Sequence, residues 1–183
     1  AKEKDTSKDG NLWADFDNMS FKINGKTYTL GKTTLQEMID DGVPFDENDL
    51  ANAGNNINPR YESSSFEIKL GERSFAQVRV LNDSSDNKKA SECFIDNVDM
   101  PIYDEPQDIL EFNFPLTMTQ EELLANSGEP DPDNIYTYQS DDSDYHSESY
   151  TYEKEAEKYY GNSSYKFEFA NDVLAYVTIS YTP

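Results

Sequence analysis

The sequence predicts an α+β fold of two tandem repeats, each setting one short helix against an antiparallel sheet. Three observations carry this reading. Two segments, Thr33 to Gly42 and Thr119 to Gly128, have the start and stop signals of short amphipathic helices. Strand-like alternation of apolar and polar residues surrounds both. The halves also align with one another: Leu30 falls on Leu116, Thr33 on Thr119, Gly42 on Gly128, Pro44 on Pro130 and Asn48 on Asn134, each pair 86 positions apart. The organisation expected is a flexible leader over residues 1–18, a first repeat over 19–100, a connector over 101–108 and a second repeat over 109–183.

In the first half, Phe21-Lys22-Ile23 and Lys26 to Leu30 flank Asn24-Gly25. That dipeptide accepts the two positive φ angles of a tight hairpin. Thr33 then offers a helix cap, Leu35, Met38 and Ile39 sit at helical spacing, and Gly42 ends the turn. A polar loop runs from Asp46 to Pro59. Ser64 to Leu70 and Ser74 to Leu81 alternate as a second hairpin around Gly71-Glu72, and Glu92 to Val98 reads as a further strand. The stretch from Met100 to Pro106 reads as the connector.

The second half opens on Leu110, Phe112 and Phe114, which alternate as a strand before the next helix. There Thr119 is followed three residues later by Glu122, the capping-box spacing, and Gly128 closes. Tyr136, Tyr138, Tyr150 and Tyr152 mark strands on either side of a very acidic loop. Tyr165 to Phe169 and Val173 to Tyr181 form a hairpin around Asn171-Asp172. Glu153 to Tyr160 is open between helix by composition and strand by position.

Composition bounds the function. The 183 residues include 37 acidic and 15 basic side chains, for a formal charge of −22. Phosphate backbones and anionic membrane surfaces are repelled by such a field, so nucleic acid is not an expected partner. Aromatic residues at 13% argue for a packed fold, because disordered chains of low hydrophobicity do not carry so many. The single cysteine, Cys93, cannot close an internal disulfide. AKEKDTSKDG at the start has the composition of a solvated leader. A first residue other than Met fits removal of a targeting segment, and from this we expect an extracytoplasmic, lipid-anchored protein whose anchor lies in a segment absent from this chain.

The stretch LTMTQEELLANSGEPD, from Leu116 to Asp131, resembles the opening of small bacterial envelope domains of the beta-lactamase-inhibitor-protein-like class, which includes outer-membrane assembly lipoproteins. Thr117 and Ser127 depart from the usual Gly and Leu of that pattern. The chain from about residue 20 to 182 is also similar to tandem-repeat lipoproteins of Gram-positive gut bacteria, in which an Asn-rich strand end such as Val80-Leu81-Asn82 precedes a Cys-containing strand such as Glu92-Cys93-Phe94-Ile95. The resemblance implies a fold and an address in the cell envelope more than an activity.

Catalytic and cofactor signatures are missing. The only histidine, His146, lies in an acidic run with Asp141, Asp142, Asp144 and Glu148, where neighbouring carboxylates would raise its pKa. A Cys93–His146 dyad would need Cys93 out of its strand. No G-x-S-x-G elbow, phosphate loop, H-E-x-x-H or paired C-x-x-C occurs. The run from Asp141 to Glu148, and the pair Asp83 and Asp86, lack the spacing of a calcium loop. We therefore expect no catalytic residue, no metal ligand and no cofactor.

Three classes remain. The first is a non-enzymatic binding or scaffolding module that uses Tyr136, Tyr138, Tyr150 and Tyr152, amphipathic rings among acids, to engage a basic protein or a glycan at the cell surface. The second is a calcium-dependent adhesin-like module. The third is a hydrolase using carboxylates or Cys93.

Overall fold

A computed structural model describes residues 12–102 and 109–183. Residues 1–11 of the expected leader over 1–18, and residues 103–108 of the expected connector over 101–108, lie outside the described residues; in the described part of the leader, Ala14 is buried in the core and Trp13 and Phe16 pack against it. The elements, in chain order, are β1 (Ser20–Ile23), β2 (Lys26–Thr29), α1 (Leu35–Asp40), α2 (Glu47–Leu50), β3 (Asn56–Ile57), β4 (Phe66–Lys69), β5 (Phe75–Leu81), β6 (Lys88–Lys89), β7 (Phe94–Pro101), β8 (Leu110–Glu111), α3 (Gln120–Ser127), β9 (Ile135–Gln139), β10 (His146–Glu155), β11 (Asn162–Ala170) and β12 (Val173–Ser180).

The α+β prediction is corrected: the fold is mostly β, with 41% strand and 14% helix. Its centre is one seven-stranded antiparallel sheet in the order β4-β5-β7-β12-β11-β10-β9, accompanied by the small sheets β2-β1-β8 and β3-β6. The error has a physical origin. Capping boxes fix where a helix starts but not how far it runs. Here α1 has 6 residues and α3 has 8, with Gly42 and Gly128 just beyond them at φ +76°. The strands that follow α3 in the large sheet reach 10 residues in β10 and 9 in β11. The last strand of the first half pairs with the last strand of the second, Val98 opposite Ile179, so the two halves share one hydrogen-bonded ladder in place of a sheet each. The pairing of β1 with β8, Ile23 opposite Leu110, ties the halves together a second time. Of the undecided segment Glu153 to Tyr160, Glu153 to Glu155 complete β10 opposite Asn162 to Ser164, and the remaining five residues are neither helix nor strand.

Local turn chemistry is as the sequence dictates at both tight hairpins. Asn24 and Gly25 have φ of 50° and 78°, and Asn171 and Asp172 have 48° and 66°, so each pair supplies the two left-handed residues that match the strand twist. One cap differs from expectation. Thr34, not Thr33, caps α1 and shares a reciprocal capping box with Glu37. The Thr33 hydroxyl is occupied in accepting the N–H of Thr29 at 2.9 Å, which closes the turn after β2. Thr119 and Glu122 form the same box on α3. The two caps are thus 85 positions apart, whereas the closing glycines are 86 apart.

Period-two burial gives the sheet two unlike faces. Phe66, Val78, Val98, Ile179, Tyr165 and Tyr152 form one row across six strands, and all are buried. The neighbouring row, Glu67, Gln77, Asp99, Thr178, Lys166 and Thr151, is partly exposed throughout. The buried face belongs to one apolar cluster that includes Phe21 and Ile23 of the hairpin, Leu35 and Met38 of α1, and Leu123 of α3. Ile39 of α1 and Leu124 of α3 are only half-buried.

Candidate binding surface

The sheet register divides the four predicted tyrosines. Tyr136 pairs with Ser149 and Tyr138 with Ser147, which puts both rings on the solvated face, where they are 70% and 59% exposed. Tyr150 and Tyr152 alternate with Ser149 and Thr151 and so point to the core, each 8% exposed. They are held there by polar tips with partners. Tyr150 Oη donates to Glu148 at 2.7 Å, and Tyr152 Oη donates to the Gly128 carbonyl at 2.8 Å. Their rings pack edge-on against Phe169 and Phe167. Burial is the main cause that pushes both phenols up, Tyr150 to about 12 with Glu148 adding to it, and Tyr152 further. The structure therefore brings Tyr136 and Tyr138 together and sets Tyr150 and Tyr152 beneath them.

Two further residues extend the exposed pair. Tyr145 stands 6.2 Å, ring to ring, from Tyr138. Val173, 65% exposed, lies in the same cross-strand row as Tyr138 through Ala170 and Ser147. Alternation within β12 could have found Val173; it points away from the buried Leu174. The acidic run bounds this patch as a hydrogen-bonded loop: Ser140 N–H donates to the Tyr145 carbonyl at 2.9 Å, and the Gln139 amide reaches the carbonyls of Ser143 and Tyr145. Asp141, Asp142 and Asp144 project from it exposed. Among the described residues, no group of three or more His, Cys, Asp or Glu side chains is placed to hold a metal ion.

The other nominated groups lie apart. His146 Nε2 sits 3.0 Å from Asp172 Oδ1, a contact that raises the imidazole pKa and lowers that of the carboxylate. Cys93 is 2% exposed, its Sγ donates to the Lys89 carbonyl at 3.3 Å, and burial pushes the thiol up. A buried, protonated thiol whose partner is a backbone carbonyl is a packing residue. Asp83 accepts from Lys158 at 2.6 Å and from the Tyr159 hydroxyl, while Arg60 stacks 5.6 Å from the Tyr159 ring. Asp86 helps shape its loop, its carbonyl accepting from the Asn82 amide at 2.8 Å.

One polar cluster was missed by sequence reasoning. Asp96 occupies the bulge where β7 slips against Arg79 and Val80, and it is only 3% exposed. Arg79 pairs with Glu62 at 3.1 Å beside it. With the Asn97 amide oriented to satisfy both ends, its oxygen accepts from Arg79 Nη2 at 3.2 Å and its nitrogen donates to Asp99 at 3.0 Å. Burial, then the nearby Glu62 charge, pushes the Asp96 carboxyl up to about 8. The signal for this cluster was Asp96-Asn97 interrupting the apolar alternation of Ile95 and Val98. Grooves of about 400 Å³ beside Glu129 and Glu153, and of about 370 Å³ beside Asp83 and Lys158, do not include Asp96.

No helix among the described residues is long and apolar enough to cross a membrane. Comparison with protein-family models, with curated proteins and with solved structures finds no match to this chain.

Proposed function

We propose that this chain is a non-enzymatic binding module of the bacterial cell envelope that engages a basic protein through the tyrosine-bearing end of its open sheet face. The carrying observation is the exposure of Tyr136 and Tyr138 side by side on a rigid sheet, rimmed by Asp141, Asp142, Asp144 and Asp172. Tyrosine provides large contact area at low entropic cost, and a rim of one sign steers partners of the other. The envelope address follows from the sequence resemblance. The test compares Tyr136→Ala/Tyr138→Ala with Tyr150→Phe/Tyr152→Phe in capture of partners from envelope extracts at low and high salt. Loss of a basic partner by the first variant alone, with weaker capture at high salt, is expected. Undiminished, salt-independent capture by the first variant overturns the proposal.

A further inference from the structure

The two ends of the seven-stranded sheet are finished differently. At β4 three outward backbone groups are taken. Lys69 N–H donates to the Pro44 carbonyl at 2.8 Å, the Glu67 carbonyl accepts the Asp46 N–H at 2.8 Å, and Glu67 N–H donates to the Asp49 carboxylate at 2.8 Å. The connector between α1 and α2 thus covers that edge, a common protection against strand addition.

At β9, the last strand of the sheet, no described residue covers the edge. Ser140 N–H donates to the Tyr145 carbonyl in the register that pairs Tyr138 with Ser147 and Tyr136 with Ser149. Antiparallel pairs alternate between exchanging and not exchanging hydrogen bonds, so Tyr136 and Tyr138 turn their backbones toward β10. Thr137 and Gln139 turn theirs outward, and both are exposed. None of the usual blunting devices is present. Ile135-Tyr136-Thr137-Tyr138-Gln139 contains no charge, proline or glycine, and its pairing with β10 has no bulge.

The charge around this edge selects its occupant. Asp131 and Asp133 precede the strand, and Asp141, Asp142 and Asp144 follow it, all exposed. Two copies pairing antiparallel through β9 would set the first group of acids against the second, in chains that each carry −22. A cationic strand meets attraction at both ends. Its Lys or Arg side chains on the solvated face would lie beside the rings of Tyr136 and Tyr138.

We propose that the free edge of β9 takes an extended, positively charged protein segment as an eighth strand of the sheet. This rests on the binding-module reading above and specifies how its partner is held: main-chain bonds to Thr137 and Gln139 give affinity, and the acidic flanks give selectivity.

The probe is a short synthetic peptide of alternating lysine and valine, with a glutamate–valine peptide as control. Thr137→Pro removes the outward N–H at a position where an edge strand tolerates proline. The expected result is salt-sensitive binding of the lysine peptide that falls at least ~10-fold in Thr137→Pro, with the thermal midpoint of the free protein unchanged. In the complex, hydrogen exchange should slow at the amides of Thr137 and Gln139, while those of Tyr136 and Tyr138 stay protected throughout. Failure of the lysine peptide to bind, or binding without protection at Thr137 and Gln139, overturns the proposal. If Thr137→Pro keeps full binding while Tyr136→Ala/Tyr138→Ala loses it, strand addition fails and the sheet-face reading stands. Self-association of the free protein that Thr137→Pro abolishes would make a second copy the occupant and overturn the choice made here.

Discussion

Gly31 lies against the ring of Tyr181 so closely that a Cβ on Gly31 would sit 2.5 Å from the ring's Cε1. The contact joins the turn after β2 to the far end of β12, and Gly31 N–H reinforces it by donating to the Ile95 carbonyl at 2.8 Å. The glycine also has φ +76°, so a side chain meets backbone strain as well as the ring. Gly31→Ala should destabilise by about 2–4 kcal/mol in chemical denaturation, combining a left-handed alanine with overpacking. In a double-mutant cycle, Tyr181→Ala should remove the steric part and leave about 1 kcal/mol. An additive cycle would mean that the ring moves aside freely.

Where local chemistry decides structure, the sequence was readable. Asn24-Gly25, Asn171-Asp172 and the Thr119–Glu122 box each specify a turn or cap through a few neighbouring atoms, and each is formed. The assignment failed where the deciding interaction is distant. Nothing near Val98 announces that its neighbour is Ile179, and without that pairing a single shared sheet cannot be told from two. The tyrosines show the same division. Alternation within β9 and β10 puts Tyr136 and Tyr138 on one face and Tyr150 and Tyr152 on another, or all four together, depending on a register that only the pairing of Tyr136 with Ser149 reveals. That no described residue covers the edge at Thr137 is a property of sheet order and has no local signature.

The buried face of α3 rests on Leu123, which is fully enclosed, while Leu124 beside it is half-exposed. Leu123→Ala should cost about 2–4 kcal/mol, and Leu124→Ala well under half of that. Denaturant midpoints of the two variants check this. Equal costs would place the helix in a different register against the sheet.

Tyr152 should be structural. Its hydroxyl holds the Gly128 carbonyl at the C-terminal end of α3, 24 positions away in sequence. Tyr152→Phe leaves a buried ring in place and removes one hydrogen bond, so a loss of about 1 kcal/mol is expected. Capture of partners should not change, since this ring faces away from Tyr136 and Tyr138. Reduced capture at wild-type stability would assign Tyr152 to the binding surface after all.

The buried carboxyl of Asp96 should make stability depend on pH in a direction opposite to an ordinary ion-paired aspartate. Glu62 lies beside it and disfavours a second negative charge, and Arg79 offsets this only in part. Asp96 Oδ1 and Arg79 Nε, both buried, have no hydrogen-bond partner among the described residues, which agrees with a carboxyl kept neutral. Its folded value, about 8, exceeds the reference 3.8, so the folded protein keeps a proton that the unfolded chain releases. The stability from this group is therefore complete below 3.8, declines as pH rises, and is lost once pH passes the folded value. Within that window the slope is about 1.4 kcal/mol per pH unit at most. Asp96→Asn removes the ionisation and keeps a polar side chain of the same size. The variant should match wild type near pH 4 and exceed it progressively toward pH 8. Both proteins retain the His146–Asp172 pair, so its titration cancels in the difference. Glu62→Gln should narrow the window from the alkaline side by relieving the like charge. Denaturation curves of wild type and Asp96→Asn at intervals from pH 4 to 9 decide the matter, and parallel stability profiles would show that Asp96 is ionised in the folded protein.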